Sequence, residues 1–232
     1  MINRLIAATA IAALAFTPLA AQDTEIVMEG EATATTVRAP LSYAKINYNL
    51  NEDRENILLL DLSSGERVAI RLMPDWAPNH VARIKTLTRQ GFYDGIIFHR
   101  VIEGFMAQTG DPTGTGQGGS SLPNLKEEFN PMPHVRGSVS MARQPNDVDT
   151  GNSQFFLVFY PRFGLDKDYT NFGRVISNMA AVDRIARGEP PANPTRILQA
   201  SIAADNKPVP RPAPAPVEQE ITADDLNAPI GE

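Results

Sequence analysis

Short apolar runs separated by turn-forming residues dominate the middle of the chain. Residues 57–62 (ILLLDL) and 67–73 (RVAIRLM) flank a Ser-Ser-Gly-Glu segment, which predicts two strands joined by a hairpin. Five later segments share this apolar character: GIIFHRV, GSVSMA, SQFFLVF, NFGRVI and RILQASI. The pattern therefore predicts a mainly β fold, and closing its strands into a barrel would remove the exposed sheet edges.

Two segments change to helical spacing. Val81, Ile84 and Leu87 share one face of a segment that Pro78 opens and Gly91 follows, which predicts the first helix. The second, shorter helix is predicted by three apolar residues at the same spacing: Met179, Val182 and Ile185. Few helices therefore interrupt the strands.

The first 21 residues have the pattern of a secretory signal peptide. Arg4 precedes an apolar stretch over residues 5–16, and small residues stand at Ala20 and Ala21. The stretch is shorter than the ~20 residues that span a bilayer, although an uncleaved signal acting as an anchor is the alternative. We expect export, to the periplasm or the medium, without stable membrane insertion once the signal is removed.

The segments flanking the strand-rich part differ from it in composition. Residues 22–42 are polar and lack apolar periodicity, which predicts a flexible leader. Residues 207–232 begin with alternating prolines and end acidic, which predicts a disordered tail, either a solvated extension or a partner-docking segment. Residues 43–206 are then one domain, large enough to bury a single core.

Composition excludes several function classes. The 232 residues include no cysteine, so neither a disulfide nor a cysteine nucleophile is available. The net charge is −6, which argues against a nucleic-acid binder. Neither histidine spacing nor acidic runs match a metal site, so we expect no metal and no cofactor.

The segment FHRVIEGFMAQTGD (98–111) contains the candidate chemistry. Phe98, Arg100 and Ile102 alternate along a predicted strand, so one charged side chain shares a face with apolar ones. Taken alone, such an arginine is more often one that extends its charge to solvent or pairs with a carboxylate. His99 points to the opposite face and is interpreted as structural.

A second segment, with SMA at 140–142 and SQFF at 153–156, favours a functional role for Arg100 over a purely structural one. Together the two segments resemble the cyclophilin family, whose most recognisable stretches are FHR-x-x-x-GFM-x-Q-x-GD followed by SMA and SQFF. The resemblance covers about residues 56–203 and includes EEF at 127–129 and NFGRV at 171–175. It implies a closed eight-stranded antiparallel β-barrel capped by two α-helices.

The resemblance also implies a function, peptidyl-prolyl cis/trans isomerisation. The expected partners are proline-containing peptides and unfolded exported proteins, and the expected state is a monomer. The alternative is a binding module or chaperone on the same fold, with little turnover. Position by position, the resemblance implies a catalytic set of Arg100, Phe105 and Gln108. It implies seven substrate-binding residues: Met106, Ala142, Arg143, Gln154, Phe156, Leu165 and Tyr169.

Chemistry suggests how three of these residues would act. The Arg100 guanidinium can donate to a prolyl nitrogen that regains its lone pair as the amide twists. Gln108 can accept from that guanidinium and donate to a substrate carbonyl, and Gln154 can anchor peptide backbone.

Three positions depart from the best-known eukaryotic pattern. Arg143 stands where an asparagine is usual, Tyr169 where a histidine is common, and Gly164 where the family has a tryptophan. Since that tryptophan contacts cyclosporin A, the resemblance implies weak binding of this inhibitor.

Overall fold

The computed structural model describes residues 45–210. The predicted signal peptide, the leader up to residue 42 and the tail beyond residue 210 lie outside the described residues. Within 45–210 the regular elements are eight strands and two α-helices: β1 (Ile57–Leu62), β2 (Arg67–Leu72), α1 (Pro78–Arg89), β3 (Arg100–Ile102), β4 (Met106–Thr109), β5 (Ser138–Met141), β6 (Phe155–Val158), β7 (Asn171–Ser177), α2 (Met179–Asp183) and β8 (Ile197–Ile202). Single 3₁₀ turns cover Arg54–Asn56, Phe163–Leu165 and Ala203–Asp205.

The strands form one antiparallel sheet in the order β3-β4-β6-β5-β7-β2-β1-β8. The mainly β expectation is confirmed, but the expectation of a closed barrel is wrong. The sheet curls without a ladder between its edge strands β3 and β8, where one isolated bridge joins Ile97 to Arg196. Prolines at 190, 191 and 194 precede β8, and proline has no N–H to donate to a ladder. The seam therefore stays open.

The predicted hairpin connects β1 to β2. Leu60 pairs with Val68, and Gly65 adopts φ +82°, a conformation that glycine takes readily in a tight turn. Six side chains of the two strands are buried in the main core: Leu58, Leu60, Leu62, Val68, Ile70 and Leu72. Each such side chain contributes about 1.5–3 kcal/mol by leaving water.

Helix α1 lies against β8, and α2 lies against β2. The predicted face of α1, formed by Val81, Ile84 and Leu87, is buried in the main core. Helix α2 ends at Asp183, so Ile185 is buried just after the helix rather than within it. No helix within residues 45–210 is both long and apolar enough to cross a membrane.

Arg71 on β2 is a buried arginine that the strand pattern did not single out. Its guanidinium donates to backbone carbonyls of one preceding segment: those of Asn47, Asn49, Glu52 and Asp53. A buried charge is stable only when its donors are satisfied, and these carbonyls satisfy them. Arg71 thus fastens residues 47–53 to the sheet. Trp76 is buried with Met73 and Met132.

Candidate active site

Three adjacent strands align the centre of the site. Arg100 on β3 pairs with Gln108 on β4, and Gln108 pairs with Phe156 on β6. Side chains directly opposite one another in an antiparallel sheet lie on the same face. The register therefore forms a row of a cation, an amide and an aromatic ring.

This row lies in a groove of about 1100 Å³. The groove is lined by all ten residues that the sequence singled out: Arg100, Phe105, Met106, Gln108, Ala142, Arg143, Gln154, Phe156, Leu165 and Tyr169. Residues 114–120 form another wall, and Glu189 and Pro190 complete the rim beside Arg100. The structure thus brings the predicted residues together, while their individual roles stay predictions.

One end of the groove is an apolar pocket. Met106 and Phe156 form its buried base, at 1% and 4% exposure, and Phe105, Leu165 and Tyr169 pack against them. The Tyr169 ring meets Phe156 edge-on, with centroids 5.5 Å apart. Because its walls are carbon and its mouth is open, the pocket suits a small apolar ring attached to a polar chain.

Arg100 stands beside this pocket and pairs with Glu189. Its Nε donates to Glu189 Oε2 at 2.8 Å, and the two side chains are 41% and 52% exposed. The expected bond from Arg100 to Gln108 is not what the structure shows. Gln108 Nε2 instead donates to Gln154 Oε1 at 2.9 Å. Glu189 therefore holds the guanidinium, a role that the sequence did not indicate.

Gln154 hydrogen-bonds both to Gln108 on β4 and to the loop at residues 116–118, which forms one wall of the groove. It accepts from Gln108, and its Nε2 donates to the carbonyls of Gly116 (3.1 Å) and Gly118 (2.7 Å). Sequence reasoning placed Gln154 against peptide backbone. In the structure its amide fixes the loop that contains these two glycines, and its contact with peptide stays a prediction.

Asp111 fixes the same loop from its other side, and sequence reasoning missed it. Its carboxylate accepts from the backbone N–H groups of Thr113 (2.7 Å) and Gly116 (2.6 Å). Burial raises the pKa of Asp111, but hydrogen bonds from Thr113, Gly118 and Gly116 outweigh burial and hold the pKa below its usual value. The signal was available, since an acidic residue directly before a glycine-rich run often accepts from the N–H groups of the turn.

Arg143 joins two loops at the far rim. Its guanidinium lies 4.7 Å from the Tyr169 ring centroid and donates to the Asp168 carbonyl and carboxylate. It also donates to the carbonyls of Gln144 and Pro145. The two departures at 143 and 169 thus support each other through a cation–π contact.

The histidines are buried, and each has a separate environment. His99 borders the groove, and burial lowers its pKa, with the charge of Asp111 opposing in part. His80 Nδ1 contacts Glu128, and His134 Nδ1 contacts Asp166, both at 2.8 Å. Over residues 45–210 no three His, Asp or Glu side chains come close enough to hold a metal ion.

Comparisons of the sequence with known proteins find one family. The family profile described as "Cyclophilin type peptidyl-prolyl cis-trans isomerase/CLD" matches residues 58–202. A "Probable peptidyl-prolyl cis-trans isomerase" of Brucella suis is 43% identical over 192 residues, which cover 76% of this chain and 97% of that protein. "Peptidyl-prolyl cis-trans isomerase B" of Bacillus subtilis is 41% identical over 129 residues, which cover 55% of this chain and 89% of that protein.

Solved structures are similar as well. A cyclophilin of Hirschia baltica superposes with a TM-score of 0.61 at 30% identity, covering 67% of this chain and 77% of that one. A cyclophilin-type isomerase of Cryptosporidium parvum, solved in the presence of the dipeptide Ala-Pro, has a TM-score of 0.59 at 28% identity. That comparison covers 63% of this chain and 98% of the Cryptosporidium chain.

Proposed function

Since the chain belongs to the cyclophilin-type peptidyl-prolyl cis/trans isomerases, we propose that it rotates Xaa-Pro bonds of exported proteins and that Arg100 stabilises the twisted amide. The observation that supports this most is the position of Arg100 beside the apolar pocket built on Met106 and Phe156. A proline ring in that pocket would present its nitrogen to the arginine.

The reaction is limited by its barrier rather than by its equilibrium. Amide resonance opposes rotation by ~18–20 kcal/mol, whereas cis and trans Xaa-Pro forms differ by only ~0.5–1 kcal/mol. Resonance is lost in the twisted state, and the prolyl nitrogen then carries a lone pair that accepts a hydrogen bond. Rotation breaks no covalent bond, so a fixed cationic donor and a clamp for the ring suffice.

The groove divides this work between its two parts. Phe105, Met106, Phe156 and Leu165 would hold the ring while the preceding carbonyl swings. Their apolar surface lowers the local dielectric, which strengthens the interaction of Arg100 with the nitrogen. Arginine keeps its charge at physiological pH, so the donor requires no proton transfer.

Proline-containing peptides are the proposed substrates. The Cryptosporidium relative was solved with Ala-Pro, which supports a pocket of this kind for an Xaa-Pro unit. We propose unfolded exported proteins as the natural source of such units because residues 1–21 have a signal-peptide pattern. The working form is then a periplasmic or secreted monomer.

Two experiments test the proposal. The chain without residues 1–21 should accelerate isomerisation of an Ala-Pro peptide in a protease-coupled assay. Peptide binding without acceleration would instead identify a binding module. Separately, cell fractionation should find the protein outside the cytoplasm, and a purely cytoplasmic protein would refute export while leaving the isomerase assignment intact.

A further inference from the structure

We propose that Glu189 is a positioning residue that orients Arg100 for the reaction. The inference rests on the proposed function of Arg100 and adds a residue that the family resemblance did not supply. Its basis is the hydrogen bond of 2.8 Å from Arg100 Nε to Glu189 Oε2 at the groove rim.

The bond uses Nε, the guanidinium nitrogen that is bonded to Cδ of the side chain. A guanidinium is planar, so a partner on Nε fixes the plane in which the two terminal nitrogens lie. Those nitrogens provide the remaining four N–H groups and stay available to a substrate. Gln108, the cross-strand neighbour, could hold the guanidinium only through its amide oxygen, and within residues 45–210 the one side-chain hydrogen bond of Arg100 goes to Glu189. The described contacts therefore assign orientation of Arg100 to Glu189.

The backbone places Glu189 firmly. Gly188 N–H donates to Val101 O at 3.0 Å, and Val101 N–H donates to Gly188 O at 2.8 Å. This bridge joins the residue before Glu189 to the residue after Arg100. Gly188 has φ +142°, and a Cβ there would come within 2.5 Å of Pro191 Cα, so the position requires glycine. The carboxylate thus stands on a fixed backbone beside the arginine.

Loss of Glu189 would have two opposed effects. An unheld Arg100 spends less time in the productive orientation, which lowers kcat. Removal of the negative charge of Glu189 makes the electrostatic potential around Arg100 more positive, which favours a transition state with a lone pair on the prolyl nitrogen. Because the side chains are 41% and 52% exposed, solvent and salt screen the charge effect. Orientation should therefore prevail.

Alanine and glutamine variants separate the two effects. Glu189→Ala should lower kcat about three- to fivefold, the upper end of the range for an exposed ion pair, with little change in KM. Glu189→Gln keeps an acceptor oxygen without the charge, so it should restore most of the lost kcat. The matched control is Glu103→Ala, which removes a 72% exposed carboxylate paired with Arg187 at 2.7 Å outside the groove. It should leave kcat and KM unchanged.

A double-mutant cycle shows whether Glu189 acts through Arg100. In an Arg100→Ala background, Glu189→Ala should have no further effect on kcat. An additional three- to fivefold loss there would overturn the inference, and so would a Glu189→Ala enzyme with wild-type kcat. Equal losses in Glu189→Ala and Glu189→Gln would show that an acceptor oxygen at this position does not hold Arg100, and would also overturn it. Failure of the proposed function is distinct, since the wild-type chain itself would then be inactive.

Discussion

Replacing Gln154 by glutamate should loosen one wall of the groove. The carboxylate of Gln154→Glu still accepts from Gln108, but it cannot donate to the carbonyls of Gly116 and Gly118, which lie 3.1 and 2.7 Å from Nε2. Each lost neutral hydrogen bond costs about 1 kcal/mol, so the loss is about 2 kcal/mol before any repulsion between the carboxylate and the two carbonyls. A domain of this size loses about 2–4 °C in Tm per kcal/mol, which predicts a decrease of about 4–8 °C.

Activity should fall with stability in this variant. If a bound peptide loses the equivalent of one hydrogen bond to the displaced wall, ~1 kcal/mol, then kcat/KM falls about fivefold. The assays are calorimetric unfolding and protease-coupled isomerisation. Gln199→Glu is the matched control. The side-chain amide of Gln199 makes one exposed hydrogen bond, which Nε2 donates to the Pro208 carbonyl at 3.0 Å.

The two interpretations of Gln154 give different results. If Gln154 supports the 116–118 loop, Tm and kcat/KM should both decrease in Gln154→Glu. If Gln154 instead anchors peptide backbone directly, Gln154→Glu should have a higher KM and a Tm no lower than that of Gln199→Glu. The second result would refute the structural reasoning and restore the interpretation made from sequence.

Two further predictions concern stability and inhibitor binding. Burial raises the pKa of Glu128, but hydrogen bonds from the His80 ring and neighbouring backbone N–H groups outweigh burial and hold the pKa below the ordinary 4.5. Its contribution to stability is thus full above pH 4.5 and disappears as pH falls through the lowered value. In urea denaturation Glu128→Gln should lose about 1–3 kcal/mol at pH 7 and less in acid, unlike Glu127→Gln; losses independent of pH would contradict this. A Cβ atom at Gly164 would meet nothing within 4 Å. Gly164→Trp should therefore bind cyclosporin A about five- to tenfold more tightly in a fluorescence titration, whereas Phe163→Trp should not. Equal affinities of the two variants would contradict this.

Local patterns predicted most of the fold. Short apolar runs bounded by turn-forming residues identified the strands, and the helical spacing of Val81, Ile84 and Leu87 identified α1. Closure of the barrel could not be predicted in this way. It depends on whether the edge strands β3 and β8 pair, and the prolines before β8 remove N–H groups that would extend the isolated bridge from Ile97 to Arg196 into a ladder.

The candidate site shows the same division. The family motifs predicted that Arg100, Gln108 and Phe156 lie together. The structure shows why, because these three residues pair across neighbouring strands. The partner of Arg100 was not predicted, because Glu189 lies 89 positions away and no periodicity links the two. Arg143 was likewise recognised as a departure, but its contact with Tyr169 depends on loop geometry. Long-range side-chain partners, rather than strands, are what the sequence left undetermined.

The central claim is that Arg100 provides the transition-state stabilisation. Donors aimed at developing charge in dry sites contribute ~2.7–4 kcal/mol, and the 41% exposure of Arg100 reduces that figure. We therefore expect Arg100→Ala to lower kcat/KM for an Xaa-Pro peptide at least about tenfold, ~1.4 kcal/mol, with Tm unchanged. Equal kcat/KM values for the wild-type and Arg100→Ala enzymes would contradict the account.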